Sequence, residues 1–209
     1  MDYSLQALRI GPLQVNTYIL TYQDKALVID PGGEAERILA ALDDARAGLT
    51  HILLTHAHYD HIGAVNRLKK ETGATVYIHA LDAPALSDPV WNLSDQFRPH
   101  LVYADADVLL SDGDRIGFGD GLTVIHTPGH TVGGCCFDTG NWLFSGDTLL
   151  DYSIGRTDFP GGSTTELIHS IKEKLFPLSE RIIYPGHGDP TRLSDEKRYN
   201  QFVGENAPF

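Results

Sequence analysis

His51-Ile52-Leu53-Leu54-Thr55-His56-Ala57-His58-Tyr59-Asp60-His61 begins as an apolar run and ends with three histidines and a carboxylate within six residues. The apolar part reads as a buried strand. The following Ile62-Gly63-Ala64-Val65 opens a helical pattern. A ligand-dense loop at the carboxyl end of a strand is where an α/β protein keeps its chemistry. Imidazole with carboxylate suits Zn, Fe or Mn better than Ca or Mg. His56, His58 and Asp60 fall at period two, so extended backbone would aim them to one side, whereas His61 breaks that period. One loop cannot wrap four ligands around one ion without strain, which predicts two ligand groups and two metals. The competing reading is a polar loop whose histidines make ordinary surface hydrogen bonds. It fits one histidine, or one His-x-His, better than three histidines and an aspartate.

At 209 residues the chain is expected to form one domain spanning its length. A hydrophobic content of 42% with 21 glycines fits an ordinary α/β protein with many turns. The net charge of −12 and the lack of a basic stripe exclude a nucleic-acid partner. The longest basic cluster, Arg67-Leu68-Lys69-Lys70, reads as the solvated face of a helix. No run approaches the roughly 18 apolar residues of a membrane span. Met1-Asp2-Tyr3-Ser4 lacks a basic region followed by an apolar core, so no signal peptide is expected. The adjacent Cys135 and Cys136 staple nothing and fit free thiols in a reducing cytoplasm, with Cys136 in the core.

Leu8-Arg9-Ile10 and Thr17-Tyr18-Ile19-Leu20 flank Gly11-Pro12 and read as a hairpin. Ala26 to Asp30 is a buried strand stopped by Pro31-Gly32-Gly33. Glu34 to Ala47 is an amphipathic helix with Ile38, Leu39, Leu42 and Ala45 on its stripe and Gly48 as its stop. A helix to Glu71 and a strand Thr75–Ile78 follow the histidine loop, which gives a βαβ character. Ala80 to Arg98 reads as a short helix and a loop. From Val108 the pattern is antiparallel: Val108–Leu110, Arg115–Phe118, Leu122–His126, Gly134–Phe137 and Trp142–Phe144. Ser163 caps a helix to Leu175, with Glu166 three residues on. Arg181–Tyr184 is the last strand, and Asp195 to Val203 the last helix, behind Ser194. The whole predicts two packed sheets with helices outside.

Three more strands end in Gly-rich turns that bear a ligand: Thr127-Pro128-Gly129-His130, Ser145-Gly146-Asp147 and Pro185-Gly186-His187. Taken singly, each is a common polar turn. Together with the first loop, four strand ends carry five histidines and two aspartates, enough for two metals with a shared carboxylate and open positions for water. His51, His79, His100 and His169 show no ligand spacing and read as surface or satisfied polar positions. His126, four residues before His130, reads as a packing residue, with support of the site as the alternative.

These motifs, in this order, resemble the metallo-β-lactamase-fold hydrolases, close to their short, single-domain hydroxyacylglutathione hydrolase (glyoxalase II-like) branch. The resemblance runs from Ile29-Asp30-Pro31-Gly32 to His187-Gly188-Asp189. It implies an αββα sandwich of two mixed β-sheets with helices outside and the site at one edge of both. It also implies that His56, His58 and His130 hold one metal, that Asp60, His61 and His187 hold the other, and that Asp147 bridges. Two divalent ions per chain are expected, Zn first, with Fe and Mn as alternatives. The implied activity is hydrolysis of a small thioester such as S-lactoylglutathione by a metal-bridging hydroxide that Asp60 orients.

The commonest zinc β-lactamases carry Cys where this chain has Asp147, and flavodiiron proteins carry Glu where it has His58. Nucleases of the fold are longer and more basic. Ser153-Ile154-Gly155-Arg156-Thr157-Asp158-Phe159-Pro160-Gly161-Gly162 resembles a loop of the short glyoxalase II-like branch and partly that of persulfide dioxygenases. A mononuclear iron dioxygenase acting on glutathione persulfide is therefore the alternative activity. Arg156 is the candidate clamp for a substrate carboxylate; the competing reading is a salt bridge to Asp151 or Asp158. Tyr152 is the second candidate for substrate binding, unless it simply packs. The sequence leaves little chain after His187, so a C-terminal helical glutathione-binding domain is not expected. The oligomeric state, monomer or dimer, is left open.

Overall fold

A computed structural model describes residues 3–97 and 101–207. His100 and Arg98 lie outside them. Fourteen strands and six α-helices follow in order. The strands of the first half are β1 (Ser4–Ile10), β2 (Val15–Tyr22), β3 (Lys25–Ile29), β4 (Gly48–Leu54), β5 (Thr75–His79) and β6 (Val108–Leu110). They form one sheet in sequence order, antiparallel from β1 to β3 and parallel from β3 to β6. Its helices are α1 (Ala35–Ala45), α2 (Tyr59–Ile62), α3 (Val65–Thr72) and α4 (Ser94–Phe97), with a 3₁₀ turn at Ala83–Ser87.

The second half supplies β7 (Arg115–Ile116), β8 (Leu122–His126), β9 (Cys135–Asp138), β10 (Trp142–Gly146), β11 (Leu149–Leu150), β12 (Ser153–Ile154), β13 (Ile182–Pro185) and β14 (Thr191–Arg192). Six of these form the other sheet, in the order β14-β13-β10-β9-β8-β7. Only the β10–β13 pair is parallel. Helices α5 (Thr164–Ser170) and α6 (Leu193–Tyr199) complete the half.

Side-chain alternation along the strands explains the layers. Ile52 and Leu54 of β4 meet Ile38, Leu42, Val65 and Leu68 of α1 and α3. Leu53, pointing the other way, joins Tyr18, Leu27, Val124, Phe137 and Phe144 between the sheets. Cys136 and Leu143 turn outward to Leu167, Ile171 and Leu193 under α5 and α6. A strand covered on both faces reads as a continuous apolar run, which is why β3 and β4 do. Three apolar layers separate four layers of secondary structure, and the fold is the expected αββα sandwich of mixed sheets.

Several local expectations are corrected. Val108–Leu110 is not antiparallel; β6 adds parallel to β5, because the long segment between them supplies the crossover a parallel pair needs. Gly48 does not stop α1. Arg46 takes the left-handed conformation there (φ 53°), the Ala47 amide bonds the Leu42 carbonyl, and Gly48 opens β4. On the stripe of α1, Ala41 is buried and Ala45 is exposed. Only Arg115–Ile116 of the Arg115–Phe118 run is paired. Ser163 caps α5 through the Glu166 amide, but the helix widens to a π turn at Ile171–Leu175, where the Phe176 amide bonds the Ile171 carbonyl. The last helix starts at Leu193 and ends at Tyr199, since the Glu180 carboxylate occupies both the amide and the hydroxyl of Ser194. The β11–β12 hairpin and β14 had no clear signal in the sequence.

The turn after β3 packs directly on α2. A Cβ on Gly32 would collide with the Asp60 carbonyl oxygen and with Val15. Gly32→Ala is therefore expected to destabilise the protein by about 1–3 kcal/mol, the usual scale of overpacking. Chemical denaturation would check this, and an unchanged midpoint would mean that α2 can back away.

Candidate metal centre

Four ligand-bearing loops leave the carboxyl ends of β4, β8, β10 and β13. The first loop stays extended through His58 and then winds into α2. Asp60 and His61 thus sit on a helical turn, and this turn is what separates His61 from His56 and His58. The β13 loop is tied to the other sheet: Asn16 donates to the Pro185 and Gly188 carbonyls (3.0 and 2.9 Å), and the Tyr18 hydroxyl donates to Pro185 (2.7 Å).

The side chains gather into compact groups whose ligand atoms lie within 4.8 Å of one another: His56, His58 and His130, and separately Asp60, His61 and His187. Asp147 lies between them. One of its oxygens is 3.6 Å from His61 Nε2, and the other is 3.6 Å from His130 Nε2 and 3.7 Å from His187 Nε2. His58 Nδ1 and His130 Nε2 face each other at 2.9 Å. All seven residues expected from the sequence to bind metal are together.

Whether metal ions fit can be judged from the polar atoms left over. His56 Nε2, His58 Nε2, His61 Nε2 and Asp147 Oδ1 are buried without a hydrogen-bond partner. Buried polar atoms are rarely left unpaired, and four of them in one cluster of nitrogen and oxygen donors suit the coordination of a cation. Burial, aided by the neighbouring imidazoles, pushes the pKa of His56 and of His58 well down, so both rings are neutral and available as ligands. Burial opposes charge on His61 too, but Asp60, Asp30 and Asp147 outweigh it and hold its pKa at about 10. Burial likewise works against the Asp60 carboxylate, yet His61 and His187 keep its pKa below the ordinary value.

Residues that were not singled out set this geometry. Asp30, at the end of β3, accepts from the Thr55 amide (2.8 Å) and the Thr55 hydroxyl (2.7 Å) and contacts His61 Nδ1 at 3.0 Å. The Thr55 hydroxyl also lies 3.0 Å from His56 Nδ1. An outer carboxylate fixes the tautomer and direction of a ligating imidazole. Asp30 together with His56 and His61 makes a further group of clustered ligand atoms. In the sequence, Asp30 read only as the polar end of a strand; its clue was its place one strand over from Thr55.

A cavity of about 490 Å³ opens over the ligands. His58, Asp60, His130, Asp147 and His187 line it, as do the apolar Leu13, Leu93, Leu150, Ile154 and Phe159. Arg156 stands at its edge. Its guanidinium grips the Asp158 carboxylate with two hydrogen bonds (2.9 and 2.7 Å) and lies 4.4 Å over the Phe159 ring. The salt-bridge reading of Arg156 is thus present in the structure, and so is its place on the cavity. Tyr152 follows the packing alternative: it is not among the residues that line the cavity, and its ring lies edge-on to Tyr199. His126 packs as expected, stacked on His79 at 4.0 Å, and His79 takes the satisfied polar reading rather than the surface one: it is buried and accepts from the Leu81 amide (3.4 Å). Among the described residues no helix is long and apolar enough to cross a membrane.

The sandwich and the ordered ligand loops define a metallo-hydrolase scaffold. Residues 10–187 match the metallo-beta-lactamase superfamily, and the chain belongs to it. It is 34% identical to the hydroxyacylglutathione hydrolase GloC of Haemophilus influenzae, over 98% of this chain and all of that one. Among solved structures it resembles BLEG-1 B3 metallo-beta-lactamase, at a TM-score of 0.91 and 38% identity over 96% of this chain and 99% of the other. It also resembles TTHA1623 in a di-iron-bound form, at a TM-score of 0.83 and 36% identity over 95% and 100%. TTHA1623 is described as di-iron-bound, and the nitrogen and oxygen donor set of this chain does not by itself select between iron and zinc.

The raised pKa of His61 fixes the sign of a pH dependence. Below about 10 this ring holds a proton that must leave before the ring can ligate. Metal uptake should release protons, and affinity should strengthen as the pH rises. Chelator competition at about pH 6.5 and about pH 8.5 measures this; equal affinities would contradict it.

Proposed function

We propose that the protein is a dinuclear metal-dependent hydrolase that cleaves small thioesters of the S-lactoylglutathione class. The observation that carries the reading is the pair of ligand groups sharing Asp147 on the floor of a cavity with apolar walls. The likeness to GloC over the full chain supports the choice of substrate. His56, His58 and His130, and Asp60, His61 and His187, with Asp147 between, would hold ions that when bound would supply a water acidified to a pKa of about 7 and a Lewis acid for the carbonyl.

The chain's own residues do the rest. Asp60 Oδ2, 3.3 Å from His187 Nε2, presents an acceptor that orients a water in the cavity and can take its proton. Leu93, Ile154 and Phe159 exclude bulk water beside the reacting carbonyl. The leaving group is a thiolate, whose acid is far stronger than an alcohol or an amine, so no protein acid is needed to protonate it. Arg156 can turn from Asp158 to a substrate carboxylate, an exchange that is inexpensive because both partners are solvent-exposed. The partner is thus a small molecule. A reducing, cytoplasmic setting belongs to the same proposal and is supported by two free, buried thiols.

The persulfide dioxygenase alternative needs one iron, and the second ligand group favours hydrolysis over it. The likeness to BLEG-1 favours a β-lactam as the other substrate class for the same centre. Zinc-loaded protein should hydrolyse S-lactoylglutathione; Asp60→Ala should lose about 100-fold or more, the scale of a lost acid–base group, and His56→Ala, which removes a metal ligand, should lose at least as much, about 100-fold. Equal rates in all three proteins would sink the reading. Turnover of a chromogenic β-lactam alone would move the substrate class, and oxygen uptake on glutathione persulfide would move the reaction.

A further inference from the structure

Asp82 is a buried carboxylate that the chemistry above does not use. It sits in the turn after β5, where its own amide bonds the His79 carbonyl (3.0 Å). Its oxygens reach across to two different ligand loops. Oδ2 accepts from the Ala57 amide (3.1 Å), the peptide between His56 and His58, and from the Thr131 hydroxyl (2.8 Å), on the residue after His130. Oδ1 accepts from the Gly133 amide (2.6 Å). The loop of the first sheet and the loop of the second are thus held by one side chain.

Two further observations support a built contact. A Cβ on Gly133 would lie 2.7 Å from Asp82 Oδ1, so the backbone approaches the carboxylate closer than any side-chain-bearing residue could. Nearby, His79 at the end of β5 stacks on His126 at the end of β8, at 4.0 Å and 8° between planes. Among the described residues Asp82 has no hydrogen bond to Asp60, His61 or His187; Asp30 contacts His61 Nδ1, and the Leu13 carbonyl lies 3.1 Å from His187 Nδ1.

We propose that Asp82 is a positioning residue for the first ligand group: by fixing Ala57 and Thr131 it sets His58 and His130 at ligating separation, and the second group does not depend on it. This rests on the division of ligands made above. A carboxylate suits the role because it can accept three hydrogen bonds from two directions, whereas an amide in its place turns a donor toward one of those donors. Loss of such an outer partner typically weakens metal binding by about 10- to 100-fold.

Single-site proteins separate the effects. His187→Ala leaves the first group whole, and His58→Ala leaves the second. Zinc affinity of each, with and without Asp82→Asn, is measured by competition with a chromophoric chelator. In the His187→Ala background Asp82→Asn should weaken zinc about 10- to 100-fold. In the His58→Ala background it should leave zinc affinity unchanged. Equal losses in both, or none in either, would overturn the assignment. If Asp82→Asn fails to fold, Thr131→Val removes a single one of the three bonds and should shift the same site in the same direction by less; a shift confined to the other site overturns the proposal. An unsubstituted protein that takes up no zinc would instead refute the ligand reading, and the role of Asp82 with it.

Discussion

A carboxylate at the end of one strand holds the start of the chemistry on the next. Asp30 leaves β3 with a left-handed backbone (φ 50°), a conformation that costs a residue with a side chain of order 1 kcal/mol. Aspartate tolerates it better than most residues. The turn drives the carboxyl group under Thr55, where it meets the Thr55 amide, the Thr55 hydroxyl and His61. A buried carboxylate is costly unless bonded, and these partners satisfy it. With Nδ1 of His61 so engaged, its Nε2 faces Asp60 and Asp147. Thr55 passes the same constraint to His56.

The charge balance of the cluster follows from burial. His56 and His58 give up their protons because water is excluded around them. His61, equally buried, keeps its proton because three carboxylates face it. The site therefore sets the neutral rings of His56 and His58 beside His61 and His187, whose neighbouring carboxylates favour a proton where an ion would otherwise sit. That arrangement favours a doubly charged guest over water, and it makes metal and proton competitors.

The sequence carried most of the strands and the clustering of the candidate ligands, because both follow local rules. A run such as Ile52-Leu53-Leu54 must be covered on both faces, and a histidine beyond it must stand at the sheet's end. What it hid depended on distance in space. Val108–Leu110 reads as a short apolar strand, but nothing in it shows its parallel partner. Arg46 ended α1 where glycine was expected, because the αL position can be filled by any residue when the Ala47 and Arg46 amides find carbonyls. Asp30 and Asp82 look ordinary in the chain and matter only through what they reach. Tyr152 had the right neighbours in sequence, yet its ring is turned to Tyr199.

Ligands arrive from both sheets: His56, His58, Asp60 and His61 from the exit of β4, and His130, Asp147 and His187 from the exits of β8, β10 and β13. Any ion held by both sets is a rivet between two halves that otherwise meet through side chains such as Leu53, Phe137 and Phe144. A slip of one sheet over the other by a fraction of a residue would leave each half folded and pull the ligand sets out of alignment. The centre is thus a gauge of how well the sandwich is stacked, and substitutions deep between the sheets would announce themselves as lost metal before they showed as lost structure.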